Sequence, residues 1–331
     1  MSAPHLHVEE LLEHLTARDA DAALALVLDL ADQGTPVVEL LTDLLGPAQA
    51  EVGRRWHRAT YNVADEHAAT AIVDAVVSVL GAHAPQVAAD GPSVAVVCAE
   101  GEWHLLPARL VAEVLRTEGF AVTFLGASMP PPHLARFLEA SPPDAVAISC
   151  TTAMSLDGVL TCTQVAHHAG VPVICGGSAL GPDDHRARVL GADLWAPDVR
   201  AAADLLRGPR PRSLAVATAD VRGASELAQR RDVILERTIA RMEAELPGYG
   251  GYDDRQRQRT REDLGYLVDF ARAAVLTRDP RVLAEVLPWL ATLLDARGVP
   301  TPTFRTSVRL LAEASDHPTM AQLLAASLPA D

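Results

Sequence analysis

The sequence predicts a multidomain protein of mixed α and α/β class: an N-terminal four-helix bundle, a flavodoxin-like doubly wound parallel sheet of five strands, and an all-α C-terminal region. Three observations predict it. The 331 residues exceed the roughly 100–200 expected of one domain. The apolar period changes twice: near Gly91-Pro92 it passes from helical spacing to short β-rich runs separated by helical stretches, and after Gly208-Pro209-Arg210-Pro211 it returns to helical spacing. With 4% aromatic residues and abundant Ala, Leu and Arg, the composition favours helices outside the sheet.

Taken in order, apolar residues at three-to-four spacing run through 8–15, 20–30, 37–52 and 63–80. Gly34-Thr35-Pro36, Gly46-Pro47 and residues 58–62 interrupt them, which gives a four-helix bundle over 1–89. Strands are expected at 93–98, 121–125, 144–150, 171–175 and 193–196, with helices at 106–118, 132–140, 156–169 and 183–190 between them. That alternation closes a parallel sheet over 92–207. Residues 208–223 read as a linker, and helices near 224–245, 254–276, 280–297, 303–314 and 317–326 fill a third region, 224–331.

Composition narrows the function. The formal net charge is −15 and every basic residue except histidine is Arg, so the chain as a whole repels a phosphate backbone and direct nucleic-acid binding is not expected. Cys98, Cys150, Cys162 and Cys175 form no Cys-x-x-Cys pair and read as reduced core thiols of a cytoplasmic protein. The N-terminus carries acids where a leader would carry bases, and no apolar run reaches the ~20 residues of a membrane span.

In an open parallel sheet, ligands lie outside the carboxyl ends of the strands where strand order reverses. Polar and glycine-rich residues gather there: Gly101-Glu102-Trp103-His104-Leu105 after the first strand, Ser149-Cys150-Thr151 after the third, and Gly176-Gly177-Ser178 after the fourth. From His104 it is 45 residues to Ser149, and from there 27 to Gly176. This combination resembles the base-off/His-on cobalamin-binding domain, whose signature is Asp-x-His-x-x-Gly, then Ser-x-Leu or a variant, then Gly-Gly. The resemblance implies that His104 binds cobalt from below, that Glu102 supports it, and that Ser149, Thr151, Gly176 and Gly177 line the slot for the nucleotide tail. A neutral imidazole suits cobalt, and a carboxylate on its other nitrogen fixes the tautomer. Glu102 replaces the usual Asp, and Pro107 stands where the motif has Gly.

The bundle contains Trp56-His57 and, with nine residues between Trp56 and Glu66, the pair Glu66-His67. This segment resembles the signature of adenosylcobalamin photoreceptors. On that resemblance Trp56 shields the adenosyl group, Glu66 and His67 hold it, Val63 packs nearby, and His57 becomes the upper cobalt ligand after light. No helix-turn-helix segment precedes the bundle, so an output elsewhere is expected.

In the third region, Arg257 and Arg261 share a helical stripe with Leu264, Val268, Ala271 and Val275. Either the stripe turns outward at the helix start, or the two Arg meet a carboxylate-bearing ligand. The order of bundle, cobalamin domain and C-terminal helices resembles the photocobilins, which hold cobalamin and biliverdin together. That resemblance implies Arg257 and Arg261 as propionate partners, with Tyr249, Tyr252, Asp263, Tyr266 and Trp289 as wall or polar contacts. No cysteine follows Cys175, so a bilin there is expected to be non-covalent.

Two functions compete. One is a non-enzymatic light sensor in which photolysis rearranges the cap and a homo-oligomer. The other is a corrinoid methyl carrier serving a separate methyltransferase.

Overall fold

The computed structural model describes residues 3–83, 91–209, 211, 213–246 and 248–327. The expected bundle boundary near residue 89, linker residues 210 and 212, and the end of the chain at 328–331 lie outside the described residues. Helices α1 (Val8–Ala17), α2 (Ala20–Asp32) and α5 (Val63–His83) lie where the apolar spacing predicts them. The third stretch departs from expectation. Gly46-Pro47 does not interrupt it: α3 (Val37–Glu39) passes through a π-helical turn, Leu40–Leu45, directly into α4 (Gly46–His57). Pro47 has no amide to donate and crowds the carbonyl four residues back, and the wider π-turn just before it relieves the helix without ending it. Leu40, Leu41, Leu44 and Leu45 point into the bundle core from that turn.

The sheet has strands β1 (Ser93–Cys98), β2 (Ala121–Gly126), β3 (Ala145–Ser149), β4 (Val173–Gly176) and β5 (Leu194–Trp195), all parallel in the order β2-β1-β3-β4-β5. Order reverses between β1 and β3, as the flavodoxin-like reading requires. Helices α6 (Leu105–Thr117) and α10 (Val199–Arg207) cover one face through Ala108, Ala112, Leu115, Ala202, Ala203 and Leu206. Helix α10 was not anticipated. Its sequence alternates buried Ala with exposed Arg and Asp over little more than two turns, too short a stretch for the period to stand out.

The other face carries α7 (Pro131–Ala140), α8 (Leu156–His168) and α9 (His185–Val189). Beyond them pack α11 (Val221–Glu245), α12 (Asp254–Thr277), α13 (Arg281–Asp295), α14 (Thr301–Ala314) and α15 (Pro318–Ser327). Helix α11 starts three residues inside the expected linker, capped by Asp220, whose carboxylate accepts from the Gly223 amide at 3.0 Å.

Three apolar cores result. The bundle core extends onto Leu106 and Val114 of α6. A second lies between sheet and α6/α10. The third runs without a break from the sheet through α8 into α11, α12, α13, α14 and α15. The bundle and the C-terminal helices therefore flank the sheet from opposite sides. All four cysteines are free and buried, and burial pushes the Cys98 thiol up to about 12 and Cys162 to about 11. Among the described residues no helix is long and apolar enough to cross a membrane.

Candidate functional site

The carboxyl ends of β1 and β3 stand side by side, with Cys98 paired to Ser149, and the loop after β1 is fixed from several directions. The Glu102 amide donates to the Ala99 carbonyl at 2.9 Å, the Ser128 amide donates to the Glu102 carbonyl at 2.9 Å, and the Gly101 amide donates to Ser128 Oγ at 3.0 Å. Helix α8 presses on the loop at Gly158, where a Cβ would come within 2.2 Å of the Glu100 carbonyl oxygen. Only glycine permits that approach.

This rigid loop buries Glu102 completely. Its Oε1 accepts from the His104 amide at 2.8 Å and from His104 Nδ1 at 2.6 Å, while Oε2 accepts from the Thr151 and Thr152 amides at 2.6 and 2.8 Å. Burial alone would raise the Glu102 carboxyl, but these four donors outweigh it and hold it below the usual carboxylate range. The Glu102 hydrogen bond in turn raises the His104 imidazole against the opposing effect of burial, and the Glu66 carboxylate adds to the rise. With an ionised carboxylate as partner, Nδ1 carries the proton. Nε2 is left with its lone pair and no partner among the described residues, on a side chain 61% exposed. The site thus presents one imidazole nitrogen, locked in orientation, at the strand-order reversal.

Beside it a cavity of about 200 Å³ enters between the strand ends and α6/α10. Val96, Val111, Ala147, Ile174 and Ala202 make its walls apolar, with Pro107, Ser149, Gly176 and Gly177 along it. Gly177 holds φ at +107°, and a Cβ there would lie 2.3 Å from the Cys150 carbonyl oxygen. Ser178 Oγ donates to the Thr151 carbonyl at 2.9 Å, tying the two loops together. The oriented imidazole can bind a metal, and the apolar cavity beside it can take a largely apolar group. Pro107 lies in the first turn of α6, where its missing amide has no helical partner to lose. Trp103, 75% exposed, and Leu105, half-buried, flank His104.

On the bundle side, Glu66 is held by Thr70, whose Oγ1 donates to Glu66 Oε1 at 2.8 Å and accepts from Gln49 Nε2 at 2.7 Å. The sequence reading missed Gln49 and Thr70; their one signal is helical spacing from Glu66 and Val52, shared by many core residues. His67 lies 3.5 Å from Glu66 and is exposed, as is Val63. Trp56 and His57, at the end of α4, meet α13: His57 Nε2 donates to the Trp289 carbonyl at 2.9 Å, and the two rings stack at 4.9 Å and 12°. Arg297 donates to the Trp56 carbonyl at 3.2 Å and lies 5.0 Å from the centre of its ring.

The candidate bilin residues fall in separate places. Tyr249 and Tyr252 pack together at 4.9 Å, with the Arg257 guanidinium over Tyr249 at 5.1 Å. Arg257 also meets Glu243 at 3.2 Å and the Tyr252 and Gly250 carbonyls. Arg261, half-buried, has no polar partner among the described residues, and burial raises the Asp263 carboxyl. Tyr266 lines a groove of about 470 Å³ between α12 and the Gly101 and Thr152 loops, and Trp289 belongs to the α4–α13 contact.

Comparison with known proteins finds matches to both the bundle and the sheet region. Residues 92–204 match the B12 binding domain, and residues 8–80 match a second B12 binding domain family. The chain is 33% identical over 157 residues to the HTH-type transcriptional repressor CarH of Myxococcus xanthus, an alignment covering 46% of this chain and 52% of that protein. It thus spans about half the length of that relative. The monomethylamine corrinoid protein of Methanosarcina barkeri shares the fold, with a TM-score of 0.52 at 18% identity over 59% of this chain and 94% of that one.

Proposed function

We propose that the chain is a non-enzymatic light sensor that holds adenosylcobalamin with His104 as its lower cobalt ligand. The observation that carries the reading is the buried Glu102 carboxylate, which accepts from His104 Nδ1 at 2.6 Å and leaves Nε2 free. Bound adenosylcobalamin supplies a cobalt–carbon bond that light breaks. Glu102 fixes the imidazole tautomer and orientation, and the Thr151 and Thr152 amides fix Glu102. The apolar slot beside Pro107, Ser149 and Gly176 takes the nucleotide tail and excludes water from it. With the cofactor bound, Trp56 would shield the adenosyl group, Glu66 would accept a hydrogen bond from it, and His57 would be the residue that holds cobalt after light. Similarity to a repressor and the Trp56/Glu66/His67 spacing favour a sensor over a corrinoid methyl carrier, which needs no such acceptor. The proposal includes a cytoplasmic, homo-oligomeric protein whose assembly responds to light and which does not itself contact nucleic acid.

For the C-terminal helices the proposal extends to non-covalent biliverdin. Arg261 is the better propionate anchor, because Arg257 is already engaged by Glu243 and two carbonyls. A red absorption band gained with biliverdin and weakened in Arg261→Ala supports this; no red band in the intact protein removes it.

The central test is absorption spectroscopy of the full chain with adenosylcobalamin, in the dark and after green light. The wild type is expected to bind and to change spectrum, and His104→Ala to lose binding. Wild-type affinity and an unaltered cobalt spectrum in His104→Ala would overturn the assignment. A bound cofactor whose spectrum ignores light would favour the methyl carrier.

A further inference from the structure

Helix α13 has two unlike halves. Val282, Leu283, Val286 and Leu287 are buried in the first half, and no residue after Pro288 is. The start of α13 is also pinned to the sheet region by Arg186, 1% exposed, whose guanidinium meets Asp279 at 2.8 Å and Glu285 at 2.9 Å. Pro288 then removes the amide that would bond the Ala284 carbonyl, which makes a soft point in the middle of the helix. Past that point Leu290, Ala291 and Leu294 pack against the core only partly buried, and the segment also touches the bundle, through Trp289 on His57 and, just beyond the helix, Arg297 on Trp56.

From this we infer that the second half of α13 is a latch across the upper side of the site, closed by His57 and opened when His57 turns toward cobalt. The inference rests on the proposed role of His57. The Nε2 that donates to the Trp289 carbonyl carries a proton there and has no lone pair for a metal. With Nε2 as the ligating atom, that nitrogen serves either the latch or the cofactor, not both at once. A His57 that leaves also removes the ring stacked on Trp289, so the segment loses its hydrogen bond and its packing surface together. Its apolar side chains Leu290, Ala291 and Leu294 are only partly buried, so it opens locally while the first half, with four buried residues, stays rooted in the core. The latch thereby converts a change at one imidazole into a change in the C-terminal helices, on the far side of the sheet.

Hydrogen–deuterium exchange of the full chain tests this, comparing residues 289–297 with 281–287 without cofactor, with adenosylcobalamin in the dark, and after light. Light is expected to speed exchange of 289–297 severalfold and to leave 281–287 unchanged. His57→Ala and Arg297→Gln should show fast exchange at 289–297 already without cofactor, and in His57→Ala light should add nothing. If the cobalt spectrum responds to light while 289–297 does not, the latch is wrong and the sensor stands. If the protein takes up no cobalamin, both fall. Wild-type exchange in cofactor-free His57→Ala also overturns the latch.

Discussion

At the scale of single residues, the site depends on one carboxylate with four donors around it. Replacing Glu102 with Gln keeps the shape but brings an NH2 group against N–H donors, and each buried donor left unmatched costs about 1–3 kcal/mol. Glu102→Gln is therefore expected to lower stability by about that amount or more and to weaken cobalamin binding about 10–100-fold, as loss of a ligand's supporting partner generally does. Thermal melts and a cobalamin titration check both. Gly158→Ala attacks the same loop from behind: its Cβ would meet the Glu100 backbone oxygen at 2.2 Å, so either α8 or the loop must shift, at about 1–3 kcal/mol. Cobalamin affinity should fall with stability in this variant. A stable Gly158→Ala protein with unchanged affinity would show that the loop position does not control His104.

At the scale of elements, two junctions set what can move. The α9–α13 junction is ionic, built from Arg186, Arg281, Asp183 and Asp279. Burial raises the Asp279 carboxyl, but hydrogen bonds from Arg281 and Arg186 outweigh it and hold the carboxyl below its ordinary value. The Arg281 hydrogen bond holds Asp183 at about 2. Folded values below the unfolded ones mean that the stabilisation is complete above about pH 4 and is lost as the pH falls toward 2. Acid titration followed by near-ultraviolet circular dichroism should thus show the junction intact at pH 5, and Asp279→Asn should open it at neutral pH. The α4–α13 junction depends instead on the Pro288 soft point. Pro288→Ala restores a helical amide and is expected to gain about 1–3 kcal/mol, to raise the melting temperature, and to blunt the light-induced exchange of 289–297.

At the scale of the whole molecule, the cores are unequal partners. The bundle core meets the sheet region through the outer side of α6 and Val199 of α10, whereas the C-terminal helices share one unbroken core with the sheet. A fragment covering 221–327 would expose the apolar side that α12 packs on α8. It is expected to melt without cooperativity and to bind a hydrophobic dye, while the intact chain melts sharply. A sharp transition in the fragment would mean that the C-terminal helices are an independent domain. Because the bundle is the less firmly rooted of the two, it is the part best placed to shift when the site changes.

The sequence by itself determined the class, the strand order at the reversal, most of the helices and the residues around His104. Each of these is written in local signals: the period of apolar residues, glycines at strand ends, and a Glu-x-His whose members are two residues apart. It did not determine that Gly46-Pro47 is carried inside a continuous helix, because a π-turn leaves no mark in composition. Only the tertiary structure decided that Trp289 belongs beside His57, 232 residues away, and that Gln49 and Thr70 hold Glu66. Nor does the stripe of Arg257 and Arg261 say which guanidinium is already paired. Glu243 and the Gly250 carbonyl come from other segments, and contacts between distant segments follow from how the cores pack rather than from any local pattern.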